Sequence, residues 1–246
     1  LRALGRVHGR GEALRAATAA RAAGFDNFNL DLMFGLPDQT PEQARADLQC
    51  ALEFRPAHLS LYQLTIEPNT LFHAQPPLLP DDDRVWEIQS MLQEATAAAG
   101  FEHYEISAYA RAGQGARHNL NYWRFGDYLG IGAGAHAKIT DASGISRLWK
   151  TKQPAEYMHT AGSAAAIGGE QRLTRADAAF DFMLNALRLS AGFEPALFQE
   201  RTGQPLSLVE GRLRQAEAQG LILRRHDLIQ PTERGLRFLN DLLCLF

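Results

Sequence analysis

The residues best suited to chemistry crowd into one short segment, RHNLNYWRFGDYLGIGAGAH, from Arg117 to His136. It combines the imidazoles of His118 and His136, the amides of Asn119 and Asn121, the rings of Tyr122, Trp123, Phe125 and Tyr128, and glycines at 126, 130, 132 and 134. A neutral imidazole is a natural axial donor to iron, aromatic rings offer π-faces, and glycines let backbone approach a large planar group without Cβ clashes. Together these suit a flat aromatic ligand that needs an axial nitrogen, and haem is such a ligand. Isolated histidines and aromatics are equally at home as hydrogen-bonded core groups, so the residues alone leave both roles open. The run Gly130-Ile131-Gly132-Ala133-Gly134-Ala135 also has the spacing of a dinucleotide loop. Arg124, Gly126 and Asp127 stand where that motif needs an apolar strand, so we reject the match.

A second set of polar residues lies within or just beyond apolar runs: Asp31 ahead of Gly35-Leu36-Pro37, Tyr62, Gln63 and Thr65 ahead of Glu67-Pro68, and Glu105 with Ser107. In α/β folds, ligands bind at the carboxyl ends of strands, so these side chains are candidates for one mouth. Asp31 stands out, because a carboxylate inside an apolar strand is costly unless it is paired or touches a polar ligand. A bond to a neighbouring amide or arginine is the competing role. The only cysteines are Cys50 and Cys244, too far apart for a short-spaced metal motif and too few for a secreted disulfide framework, which points to a reducing cytoplasm.

The elements that must position these groups begin with an Ala-rich helical pattern ended by Gly24, and the first residue, Leu1, reads as a cut N-terminus. FDNFNLDLMFGLP alternates as a strand, with Phe28, Leu30, Leu32 and Phe34 on one face, until Gly35 and Pro37 stop it. Thr40, Pro41 and Gln43 spell a capping box for a helix carrying Ala44, Leu48, Ala51 and Leu52, closed by Pro56. HLSLYQLTIEP is a second strand, and FEHYEIS a third. Between them a helix begins at the acidic trio Asp81, Asp82 and Asp83 and repeats Val85, Ile88, Leu92 and Ala95. Strand alternating with helix predicts a parallel sheet, here part of a (β/α) barrel, since a whole one takes about 250 residues. After a polar, Gly-rich middle, Thr174 and Asp177 cap a helix with Phe180, Met183, Leu184 and Leu187 as its apolar stripe. Ser207 and Glu210 start another helix, LILRRHDLIQ reads as two short strands, and a last helix follows. Helix, helix, hairpin, helix is a winged-helix-like α+β arrangement, which places one boundary near residue 150: 1–150 for the barrel part, 151–246 for a helical linker and the small module.

Composition narrows the function classes. At 246 residues, 46% hydrophobic and 22% charged, the chain can build an ordinary core. A formal charge of -3 gives no basic field for nucleic acid. In the tail, Arg212, Arg214, Arg224 and Arg225 are balanced by Glu200, Glu210, Glu217 and Asp227, so protein docking is favoured over DNA. No apolar run reaches the length needed to span a bilayer.

NLDLMFGLPDQT, LSLYQLTIEPNTLF, LPDDD, YEISAYA and HNLNYWRFGDYLGIGAGAH, with the C-terminal module, resemble the HemW family of haem chaperones, relatives of the oxygen-independent coproporphyrinogen III oxidases in the radical SAM superfamily. HNLNYW matches the HNxxYW signature that separates these chaperones from the true oxidases. The resemblance implies the C-terminal portion of a radical SAM barrel followed by a winged-helix-like domain of the HemN type. It implies a protein that binds haem and hands it to respiratory apoproteins, in the cytoplasm, with room for a homodimer and at most peripheral membrane association. His118 becomes the leading haem-iron ligand, with Asn119, Tyr122 and Trp123 around the porphyrin. Asp31 falls at a position that contacts S-adenosylmethionine, and Thr65 and His136 at neighbouring contact positions. The family's CxxxCxxC motif for a [4Fe-4S] cluster is not in this chain, and two cysteines cannot supply three thiolates. Radical catalysis by this chain alone is therefore not expected. The competing functions are a coproporphyrinogen oxidase when whole and a docking module acting through the tail.

Overall fold

A computed structural model describes residues 4–246. They fall into two compact units, one ending at Ala116 and the other spanning Arg117–Phe246. The boundary drawn from sequence near 150 thus lies inside the second unit, and the HNLNYW segment opens that unit.

In the first unit, α1 (Arg10–Ala22) leads to β1 (Asn29–Phe34), α2 (Pro41–Glu53) and β2 (His58–Gln63). A one-turn helix α3 (Leu71–Ala74), α4 (Asp82–Ala98), β3 (Glu102–Glu105) and β4 (Ala108–Ala110) complete it. The N-terminal caps form where the side chains predict them. Thr40 and Gln43 close a reciprocal box on α2, and the Asp81 carboxylate accepts from the Arg84 amide at 2.8 Å. Leu30, Leu32 and Phe34 of β1 and Leu59 and Leu61 of β2 pack on Leu48 of α2 and Ile88 and Leu92 of α4. One sheet face is therefore a dry core under helices.

The sheet order is β1-β2-β4-β3, with β1 and β2 parallel and β4 antiparallel to both of its neighbours. β3 runs in the direction the alternating pattern requires, but it does not sit beside β2. After a bulge between His103 and Glu105, the chain reverses and inserts β4 between them. The Glu105 carboxylate fixes the reversal by accepting from the amide and hydroxyl of Ser107 at 3.2 and 3.0 Å. A three-residue strand of two alanines and a tyrosine carries too little periodicity to be read ahead of the structure.

In the second unit, α5 (Arg117–Trp123) precedes an antiparallel sheet of β5 (His136–Asp141), β6 (Gly144–Lys150) and β7 (Ile167–Arg172), with α6 (Pro154–Thr160) before β7. This corrects the sequence reading, in which the Gly-rich middle and the following stretch held no sheet. Their strands mix Gly, Lys, Arg and Thr on faces that are half exposed, which blurs the alternation.

Next come α7 (Arg175–Ala186), capped by Thr174 and Asp177, α8 (Pro195–Thr202), α9 (Glu210–Ala218), β8 (Ile222–Arg224), β9 (Ile229–Pro231), α10 (Glu233–Arg237) and α11 (Leu239–Leu243). The apolar stripe of α7 is partly displaced from the expected one: Phe180 and Leu184 are exposed, whereas Phe182, Met183 and Ala186 are fully buried. Phe182 is the hub, edge-on to Phe125, Phe193 and Phe198 at 5.9, 5.1 and 5.1 Å. Ser207 and Glu210 do not form a capping box. Pro205 leads into a short 3-10 turn, and α9 starts at Glu210 with no side-chain cap. The Glu210 carboxylate is instead forked by Arg224 at 3.0 and 2.9 Å.

Candidate functional site

On the sheet face opposite the helices of the first unit, Asn29 and Asp31 of β1 stand beside His58 and Ser60 of β2, in parallel register. Asn29 Nδ2 donates to Asp31 Oδ1 at 2.6 Å, and Asn29 Oδ1 receives Ser60 Oγ at 3.1 Å and lies 2.7 Å from His58 Nδ1. His58 Nε2 lies 2.7 Å from the Tyr104 hydroxyl. Asp31 itself is exposed, and Oδ2 has no partner among the described residues. It lines, with Met33, Leu36 and residues of α1 and α2, a cavity of about 840 Å³ along the open edge of β1. Thr65 lies just past β2, exposed, with its hydroxyl donating to Glu67 at 2.9 Å. His103 is occupied structurally: its ring stacks on Tyr109 at 4.5 Å, Nε2 lies 3.1 Å from the Ile106 carbonyl, and burial pushes its pKa down.

In the second unit, α5 presents the HNLNYW residues. His118 is exposed and makes no hydrogen bond to the described residues, and Tyr122 follows one turn later, also exposed. Asn119 is half-buried. Two of the aromatic rings already have neighbours: Tyr122 packs edge-on against Tyr128 at 4.6 Å, and the Arg188 guanidinium lies 4.3 Å from the Trp123 ring. His136, at the start of β5, is exposed opposite Trp149, their rings 6.4 Å apart.

What locks α5 to the following strand lay outside the sequence reading. Asn121 Nδ2 donates to the Asp127 carbonyl at 2.9 Å, and a Cβ on Gly126 would collide with the Asn121 side chain. Lys138 of β5, buried, sends its ammonium to the Phe125 carbonyl, the Asp127 carboxylate and the Thr140 hydroxyl at 3.1, 2.7 and 3.3 Å. The clue available from sequence was the period of Lys138 within a strand, visible only once β5 is recognised. His58 and Ser60 offered a plainer signal, since they alternate with Leu59 and Leu61 just as Asp31 alternates with Leu30 and Leu32. Among the described residues no three His, Cys, Asp or Glu side chains cluster as a metal site. Cys50 and Cys244 are both free and lie in different units.

This mixed α/β chain has the fold of coproporphyrinogen III oxidase (HemN) from Escherichia coli, a radical SAM enzyme, at TM-score 0.75 and 20% identity over 99% of this chain and 60% of that one. The HemN C-terminal domain family matches residues 173–238. Sequence relatives are sharper. The chain is 47% identical over its whole length to the haem chaperone HemW of Escherichia coli (strain K12), covering 64% of it, and 46% identical to that of Haemophilus influenzae, covering 63%. It is 31% identical to HemW of Bacillus subtilis (strain 168), covering 65%. The chain is thus similar to HemW along its full length, and spans just under two thirds of the curated relatives it matches.

Proposed function

We propose that this chain carries the haem-binding portion of a HemW-type chaperone, with His118 as an axial ligand to the haem iron and delivery of haem to respiratory apoproteins as the role of the whole protein in the cytoplasm. The observation that carries this reading is an exposed imidazole with no hydrogen bond to the described residues, at the first turn of a helix whose following turn is held by Asn121 and Lys138. Such an imidazole is free to give a nitrogen lone pair to iron, and the exposed ring of Tyr122 lies on the same helix face. Asn119 and Trp123 complete the set of residues we assign to haem. Haem would supply the iron and the macrocycle; the chain supplies the donor and the surface that orients it. Asp31, Thr65 and His136 we assign to S-adenosylmethionine contacts, for which Asp31 offers an unshared carboxylate oxygen. The two cysteines do not fit a [4Fe-4S] cluster, and no reaction step is assigned through one.

The test is His118→Ala in the full-length protein. Hydrophobic contacts should still retain haem, but the Soret band should shift and affinity should fall roughly tenfold or more. An unchanged spectrum and affinity would make His118 structural and move the search to His136.

A further inference from the structure

The polar chain beneath Asp31 has a direction. Tyr104 accepts from the Ala116 amide at 3.4 Å and its hydroxyl oxygen lies 2.7 Å from His58 Nε2. Asn29 Oδ1 accepts from Ser60, so the short contact from His58 Nδ1 to that same oxygen requires a proton on Nδ1. The carbonyl oxygen of Asn29 is thereby committed to His58 and Ser60, which turns its Nδ2 donor toward Asp31 Oδ1 at 2.6 Å. In the neutral imidazole Nε2 is then an acceptor and the Tyr104 hydroxyl donates to it, so every donor along Ala116, Tyr104, His58 and Asn29 points one way and Asp31 is the terminal acceptor. Were His58 to carry its proton on Nε2 instead, it would face the Tyr104 hydroxyl and leave the Asn29 orientation undetermined.

The chain also crosses a strand. His58 is on β2 and Tyr104 on β3, with β4 between them, and neighbouring strands lie about 4.8 Å apart. Only long side chains reaching over β4 can meet, and the residues of β4 paired with His58 and Ser60 are Ala110 and Ala108, both buried. Larger side chains there would separate the imidazole from the phenol. His58 itself is only 4% exposed, so its polar atoms have been taken out of water for these bonds.

We infer that His58, backed by Tyr104, is a positioning residue for Asp31: acting through the Asn29 amide, it fixes one carboxylate oxygen and leaves the other presented outward to a ligand. The inference deepens the assignment of Asp31 to S-adenosylmethionine contact and rests on it for the identity of the ligand, but not for the hydrogen-bond chain. In the full-length protein, selective ¹⁵N-histidine NMR should show His58 neutral with its proton on Nδ1. Tyr104→Phe, which keeps the ring and removes only the hydroxyl, should shift the His58 nitrogen signals and those of the Asn29 side-chain amide. His58→Phe should move the Asn29 amide and the Asp31 carboxyl ¹³C signals and weaken S-adenosylmethionine binding about tenfold. Unmoved Asn29 and Asp31 signals in folded His58→Phe protein, or a proton on Nε2 in the parent, would overturn the inference. Asp31→Asn, run alongside, reads the other assignment separately. If it binds S-adenosylmethionine as the parent does, the ligand contact fails, while the NMR shifts still decide whether His58 positions Asp31.

Discussion

Lys138 is the residue on which the geometry after α5 depends. Its side chain is 3% exposed, and the ammonium survives there because the Phe125 carbonyl, Asp127 and Thr140 all accept from it, with the Phe125 ring centroid 4.2 Å away. Lys138→Met keeps the stem but leaves the Phe125 carbonyl without its donor, so urea unfolding should show a loss of about 1–3 kcal/mol. The partner sets a pH dependence. Burial pushes the Asp127 carboxyl up, but the hydrogen bonds from Lys138 and Thr140 outweigh it and hold the pKa below the usual value. A carboxylate depressed on folding contributes stability above its unfolded pKa, near 3.9, and loses it as the pH falls through the lower folded value. Asp127→Asn should therefore destabilise the chain at neutral pH, with the difference from the parent closing below about pH 4. Asp181 differs: despite Arg147 at 2.8 Å, burial pushes its pKa up, so its charge carries a cost at neutral pH that acid relieves.

At the scale of elements, close approach rather than helix propensity governs the C-terminal module. α10 meets the end of α9 and β8 at Gly235, where an added Cβ would collide with the Leu221 carbonyl, and the Thr232 hydroxyl accepts from the Gly235 amide at 2.9 Å to start the helix. Gly235→Ala improves intrinsic helix propensity by up to about 1 kcal/mol, yet it should destabilise by about 1–3 kcal/mol, because backbone must shift to admit the methyl group. A higher melting temperature for the alanine variant would show that the contact yields easily. Three arginines of this module are spent on its own surface: Arg224 on Glu210 and Glu217, Arg214 on Glu210, and Arg212 on the Phe246 carbonyl. The caps were legible because each is local: Thr40 with Gln43 and Thr174 with Asp177 satisfy donors three residues away. β4 and the β5-β6-β7 sheet were not, since β4 has only three residues and the strands of the sheet mix Gly, Lys, Arg and Thr on half-exposed faces.

For the whole molecule, the prediction is an absence with a chemical cause. Reconstitution of this 246-residue chain with iron and sulfide should leave no [4Fe-4S] cluster, because Cys50 and Cys244 lie in separate units and cannot provide three thiolates. Four irons per chain with a cluster absorption band would refute it. No described helix is long and apolar enough to cross a membrane. Residue types and short spacings determined much by themselves: the β1-α2-β2 order, the apolar face of Leu30, Leu32 and Phe34, the HNLNYW segment, and Asp31 as a carboxylate needing a partner. These depend on interactions within a few residues, or on a period that a strand or helix must obey. Tertiary structure alone decided which polar groups meet. It placed Tyr104 across β4 from His58, Lys138 under the α5 turn and Arg188 over Trp123, contacts between residues far apart in the chain whose pairing leaves no local pattern to read. It also turned the expected parallel neighbour of β2 into an antiparallel one, because a bulge and two residues of reversal let a small strand enter where the alternating pattern had reserved the place for β3.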